Sequence, residues 1–211
     1  MSEFKNVYCF TFEERINLLK SYHQSNLIEA GCDEAGRGCF AGPVFAAAVI
    51  LPKNFYHRLL NDSKQVKPET RRELRAYIEL HAIDYAIEKV DSEEIDEINI
   101  LKASFKAMHL AIQKLMKPPE FLLIDGHMFY KYKTIPHKCI IKGDGIYASI
   151  AAASILAKTY RDDYMQHLHD EYPCYNWFNN KGYGTAEHRR GIASHGLCPY
   201  HRKSFNITSN Q

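Results

Sequence analysis

Four carboxylates interrupt or close apolar runs in this sequence. Asp33 and Glu34 follow EAGC and precede the glycine-bracketed arginine of Gly36, Arg37 and Gly38. Asp125 closes FLLID (121–125), and Asp144 closes KCIIKGD (138–144). Carboxylates gathered at one rim of a sheet repel and raise one another's pKa unless cations lie between them. Oxygen ligands with no adjacent His/Cys cluster suit Mg²⁺ or Mn²⁺ rather than zinc. Two such ions can activate water and stabilise the leaving oxygen of a phosphodiester, so the pattern reads as a phosphoryl-transfer site. A blander reading has Asp33 and Glu34 simply end a strand and pair with Arg37. The recurrence of the same strand-end placement at Asp125 and Asp144 weighs against it. Successive strand side chains alternate faces, so if both Asp33 and Glu34 serve, either the strand distorts at GRG or one residue reaches in from beyond its end.

The residues around these acids are less specific. GRG lacks the spacing of a dinucleotide or P-loop fingerprint, but its glycines permit close backbone approach beside a fixed cation. Lys64, in DSK (62–64), and Lys142 stand near turns where a compact charge meets phosphate, or are ordinary surface lysines. Tyr183, between glycines in NKGYGTAEHRR, is placed as a stacking ring would be, or packs. His188 and His201, in a basic tail, read as surface histidines able to donate to phosphate or shuttle a proton. Asp162 and Asp163 are weaker candidates for the carboxylate set, since RDD on a helix can simply face solvent.

The elements that must position these groups follow from periodicity. Residues 28–33 and 43–51 read as strands, the second apolar throughout and therefore central. Pro68 opens a helix, and 81–90 reads as a strand. Ile98, Leu101, Phe105, Met108, Ile112 and Leu115 define one helix stopped by Pro118. Strands follow at 121–125 and 138–144, then a helix through Ile150, Ser154, Ala157, Arg161, Tyr164 and Leu168. An amphipathic segment precedes the first strand. Strands first, then alternation, predict a mixed-sheet α/β domain over 1–170, with 171–211 a small irregular or partly helical appendage packed on it.

At 211 residues and 45% hydrophobic, the chain can bury a real core. No apolar run approaches the roughly 18 residues of a membrane span, and the N-terminus lacks a signal-peptide pattern. The expected location is therefore the cytoplasm. Six cysteines without CxxC read as free thiols. The net charge is only +2, but residues 53–75 carry seven Lys/Arg against three acids, while 181–203 carry five against Glu187. Such patches suit phosphate, or are solvated faces.

Taken together and in order, GCDEAGRGCFAGPVFAAAVILP, DSK, LLIDG, KGD with IAAASILAKTYRD, and KGYGTAEHRR with HRKSF resemble ribonuclease HII, the bacterial type 2 ribonuclease H, from residue 28 to 205. The resemblance implies a ribonuclease H-like fold. It also implies hydrolysis of the phosphodiester 5′ to a ribonucleotide in duplex DNA or an RNA/DNA hybrid, leaving 3′-hydroxyl and 5′-phosphate ends. By the same resemblance, Asp33, Glu34, Asp125 and Asp144 are catalytic metal ligands for two Mg²⁺ or Mn²⁺ ions. Gly36, Arg37 and Gly38 contact the 2′-hydroxyl, Lys64 a phosphate, and Tyr183 the sugar of the following deoxynucleotide. The expected partners are RNA/DNA hybrids and ribonucleotide-containing duplex DNA, with no membrane, and the protein is expected to be monomeric. The chain departs from the family pattern at His127, Met128, Ala151 and Gly184. Carboxylates alone leave open a broader nuclease of the same fold, or a non-catalytic nucleic-acid binder.

Overall fold

The computed structural model describes residues 19–61 and 63–207. Its centre is a five-stranded sheet of order β3-β2-β1-β4-β5. β1 (Glu29–Ala35), β2 (Val44–Ile50) and β3 (Asp84–Val90) form an antiparallel meander, and β4 (Phe121–Asp125) and β5 (His137–Ile140) run parallel to β1. The sequence of β2, VFAAAVI, is buried at every position. Its two faces explain why. Val44, Ala46, Ala48 and Ile50 pack with α3 (Ile100–Lys114), whereas Ala47 and Val49 pack with α1 (Pro68–His81) and α4 (Ala148–Glu171). Each fully buried Leu or Ile in these layers contributes about 1.5–3 kcal/mol.

Small residues let α4 lie unusually close to the sheet. A Cβ on Gly31 of β1 would come 2.3 Å from the Ser149 carbonyl carbon, so only glycine fits there. Ala151, one of the departures from the family pattern, lies fully buried in this contact layer.

Three expectations need correction. The single helix expected from Ile98 to Leu115 is two, because Asn99 adopts φ 68° and ends α2 (Ser92–Ile98); its side chain then accepts from the N–H groups of Leu101 and Lys102 to start α3. The acidic run DSEEIDE is thus mostly helix. The strand expected over 138–144 stops at Ile140, because Lys142 turns left-handed at φ 56° and Gly143–Gly145 form a 3-10 turn. In the segment 81–90, His81 ends α1 and the strand begins at Asp84. The expected amphipathic N-terminal segment lies almost wholly outside the described residues.

Beyond α4, a 3-10 turn (Pro173–Tyr175), α5 (Trp177–Asn180) and α6 (Ala186–His195) surround a separate cluster of Ala41, Met165, Leu168, Tyr175, Trp177 and Cys198. Ala41 brings the loop after β1 into that cluster, which ties the tail to the rim of the sheet.

Candidate active site

β1 runs through both Asp33 and Glu34, so neither expected route, distortion at GRG or reach from beyond the strand end, is taken; the two carboxylates nonetheless lie close enough for each to feel the Asp125 charge. The pairing of β1 with β4 ends at Cys32 opposite Ile124, so the next residues on the two strands, Asp33 and Asp125, stand side by side. Asp33 is 6% exposed. Burial, then the Glu34 and Asp125 charges, push its carboxyl well above the usual range, opposed by a hydrogen bond with Ser154. Burial also raises Glu34, opposed by Arg37, whose guanidinium donates to Glu34 Oε1 at 3.1 Å, and by Lys64. Asp125 Oδ1 accepts the Gly143 N–H at 2.7 Å, which draws the 3-10 turn and the buried Asp144 towards the end of β4. Asp144 therefore approaches from a turn and not from a strand end. Asp62, the first residue of DSK, lies outside the described residues.

Two buried guanidiniums lace the loop after β1. Arg161, 1% exposed on α4, donates to the carbonyls of Pro43, Lys181 and Ala41 at 3.0, 2.8 and 3.1 Å. Arg202, fully buried, donates to Gly42 twice and to Arg37. Carbonyl partners satisfy these buried cations without a carboxylate. Burial, then Arg161, lower Arg202 to about 10. The two glycines of GRG differ sharply. A Cβ on Gly36, at φ 97°, would fall 2.0 Å from Arg161 Nε, whereas one on Gly38 meets no atom within 4 Å. A side chain at 36 is therefore barred by the interior, whereas the Cβ side of Gly38 is open.

Tyr183 is 44% exposed beside this loop, hydrogen-bonded with Cys39. Burial, then Cys39, raise its phenol above the ordinary value, which leaves still less of it ionised at neutral pH to act as a base. Gly182 (φ 84°) lets its carbonyl accept from Phe40 N–H at 2.8 Å, and a Cβ on Gly184 would strike the Phe40 ring at 2.3 Å. Glycine at 184 thus accommodates Phe40.

His188 and His201 are not surface residues and cannot reach phosphate; both are buried, with Nε2 atoms 3.1 Å apart. Asp162 and Asp163 are engaged too, with Lys158 and Arg75 respectively. Burial, then the cost of a second positive charge beside His188, lower His201 from 6.5 to about 4. Between those values the unfolded chain binds the proton that the folded one refuses, so the stabilisation is complete above about pH 6.5 and falls towards pH 4. A urea series from pH 7 to 4.5 should show stability dropping at up to about 1.4 kcal/mol per pH unit for this one proton, with the slope reduced in His201→Gln. An equal slope in both proteins would contradict it.

Against known proteins, the sequence model of ribonuclease HII matches residues 30–208. The chain belongs to the ribonuclease HII family. The ribonuclease HII of Bacteroides thetaiotaomicron is 62% identical over 190 residues, spanning 90% of this chain and 95% of that protein. That of Parabacteroides distasonis is 60% identical over 194 residues, spanning 92% and 98%. Among solved structures, the PCNA:RNase HII complex from Archaeoglobus fulgidus contains a chain that superposes with TM-score 0.71 at 25% identity, over 88% of this chain and 98% of that one. The ribonuclease H2 of Pyrococcus horikoshii shares the fold, at TM-score 0.70 and 24% identity, over 85% and 94%. The sheet order and flanking helices described above are thus a ribonuclease H-like fold. As a ribonuclease HII, the protein is a metal-dependent endoribonuclease that cleaves duplexes containing ribonucleotides.

The donors present fit a hard divalent cation. The carboxylates supply oxygen only, and the buried Asp33 carries a charge that its surroundings penalise, which a cation would neutralise. Among the described residues no group of three His, Cys, Asp or Glu is drawn together closely enough to hold an ion as it stands. Two residues missed from sequence support the site: Ser154, hydrogen-bonded with Asp33, and Ser63, whose hydroxyl lies 2.9 Å from that of Ser154. The serine that breaks the alanine run of α4 was the available signal.

Proposed function

We propose that this ribonuclease HII cuts the phosphodiester 5′ to a ribonucleotide in duplex DNA or an RNA/DNA hybrid, leaving 3′-hydroxyl and 5′-phosphate ends. Asp33, Glu34, Asp125 and Asp144 hold two Mg²⁺ or Mn²⁺ ions in the substrate complex. When bound, these ions supply water activation and charge neutralisation at the phosphorus. The observation that carries the reading is the Asp33–Asp125 pair just past the last β1–β4 pairing, next to a loop laced from beneath. Ser154 holds Asp33 in place, and the Gly143 N–H does the same for Asp125. Arg37, 48% exposed, swings between Glu34 and the substrate, and the open face at Gly38 admits the 2′-hydroxyl. Exposed Lys64, whose charge already reaches Glu34, meets a phosphate. We place residues 1–170 as the catalytic core and 171–211 as a substrate-contacting extension of a cytoplasmic monomer. No helix among the described residues is long and apolar enough to cross a membrane.

The test compares duplexes containing one internal ribonucleotide, a long RNA/DNA hybrid and all-DNA. A single cut 5′ to the lone ribonucleotide, dependent on Mg²⁺ or Mn²⁺, supports the proposal. Cutting restricted to long RNA tracts or ends would point to a broader nuclease, and binding without turnover to a non-catalytic role.

Tyr183 acts through its ring. Tyr183→Phe is expected to keep a sizeable part of the activity on the single-ribonucleotide duplex, and Tyr183→Ala to lose about tenfold or more, within the range of an aromatic stacking contact. Equal defects on both substrates in both variants would implicate the hydroxyl instead.

A further inference from the structure

We infer that His188 is a positioning residue for Tyr183, held in one tautomer by Trp177 and His201, and that junction selectivity depends on the proton at its Nδ1. The inference rests on the substrate-reading role proposed above for Tyr183.

The hydrogen bonds fix the protons. His188 Nδ1 lies 2.9 Å from the Tyr183 carbonyl, which can only accept, so Nδ1 carries the hydrogen. Its Nε2 is then a lone pair, and it receives the Trp177 indole N–H, a group that can only donate, at 3.0 Å. The same lone pair faces His201 Nε2 at 3.1 Å, so that nitrogen bears a hydrogen. His201 Nδ1 accordingly accepts from the Cys198 N–H at 3.0 Å and lies 3.2 Å from its thiol. Every imidazole nitrogen has a complementary partner when both rings are neutral. The opposite tautomer of His188 would set a hydrogen against the indole N–H and deprive the Tyr183 carbonyl of its side-chain donor. Burial lowers both rings below the ordinary histidine value, in keeping with neutrality.

Tyr183 is tied through its turn: its own N–H donates to the Asn180 carbonyl at 2.9 Å, and the carbonyl of Gly182 before it accepts from Phe40 N–H at 2.8 Å. The Tyr183 carbonyl is fixed by the Thr185 N–H at 2.8 Å and by His188. The Thr185 bond is local to the turn; the His188 bond connects that turn to the buried cluster around Trp177 and, through His201, to the segment bearing Arg202. The side chain fully buried beneath the ring's own backbone is therefore a reference point rather than a participant in chemistry.

The two conservative amides separate positioning from packing. In His188→Asn the side-chain amide nitrogen occupies the place of Nδ1 and keeps the donor to Tyr183. In His188→Gln the amide reaches the place of Nε2, keeps the acceptor for Trp177 and more of the volume, and loses the donor. Measured as the ratio of kcat/KM on a single-ribonucleotide duplex to that on a long hybrid, His188→Asn should stay within about threefold of wild type, and His188→Gln should fall about tenfold, the scale of one lost hydrogen bond. A purely structural histidine predicts the reverse order or equal loss, and either result would overturn the proposal. Tyr183→Ala is measured alongside: an unchanged ratio there would show that the Tyr183 reading itself had failed. Imidazole nitrogen shifts in the unaltered protein give a check independent of the variants' folding. They should show His188 protonated at Nδ1 alone and His201 at Nε2 alone, and the opposite pattern would refute the assignment.

Discussion

Asp33→Asn should reduce cleavage of a single-ribonucleotide duplex by on the order of 10³-fold or more while making the metal-free protein harder to unfold. Asp33 combines two conditions that oppose each other: it is buried, and it stands beside Glu34 and Asp125. A carboxyl whose folded pKa is raised stabilises the fold while protonated and loses that contribution as pH rises through the folded value. At neutral pH the ionised group is thus a liability until a cation compensates it. The amide removes the charge with almost no change in volume, and its oxygen can still accept the Glu34 N–H that Asp33 holds at 2.7 Å. Each kcal/mol of relieved repulsion should appear as about 2–4 °C in Tm for a chain of this size. The same substitution removes an anionic ligand on which transition-state charge stabilisation depends, with a cost of the order seen for loss of a key electrostatic group. Melting in EDTA and in Mn²⁺, with turnover on the same samples, tests both halves. A variant less stable than wild type without metal would show that Asp33 is structurally required and not held under repulsion.

Gly36→Ala is expected to destabilise by about 3 kcal/mol or more, whereas Gly38→Ala should melt as wild type does. The added methyl at 36 meets a guanidinium pinned by three carbonyls, on a backbone at φ 97°. Arg161 cannot yield without leaving buried carbonyls unpaired, at about 1–3 kcal/mol each. At 38 the methyl projects into open space. Any loss there should appear in cleavage at the lone ribonucleotide and not in thermal stability. Equal Tm values for the two variants would contradict the division of labour between these glycines.

That division was not legible in the sequence, where Gly36 and Gly38 bracket Arg37 symmetrically. The partner that distinguishes them, Arg161, lies on a helix more than a hundred positions later, and no local pattern announces it. Strands β1, β2 and β4 were readable because their apolar runs are buried on both faces, and α4 because small residues recur on the face that meets Gly31. The break at Asn99 was hidden by apolar residues that keep helical spacing across it. Asp144 looked like a strand end because the left-handed turn at Lys142 is carried by a residue with no special preference for it. His188 and His201 looked solvent-exposed because basic neighbours surround them in sequence. Their actual neighbours are Trp177, Tyr175 and Cys198, which supply burial that the tail's composition conceals.

Arg202 also sets an order of events in biosynthesis. The loop after β1 leaves the ribosome early, yet Arg202, the side chain that binds the Arg37 and Gly42 carbonyls, belongs to a segment synthesised more than 150 residues later. Contacts of such sequence separation form late, because a long chain must close before they return any free energy. The acids of β1 and β4 can therefore pair into the sheet while the loop beside them is still unanchored. A nascent chain halted before residue 202 should carry its carboxylates in place and yet fail to discriminate a lone ribonucleotide, acquiring that ability only when the segment at 198–202 closes over the loop.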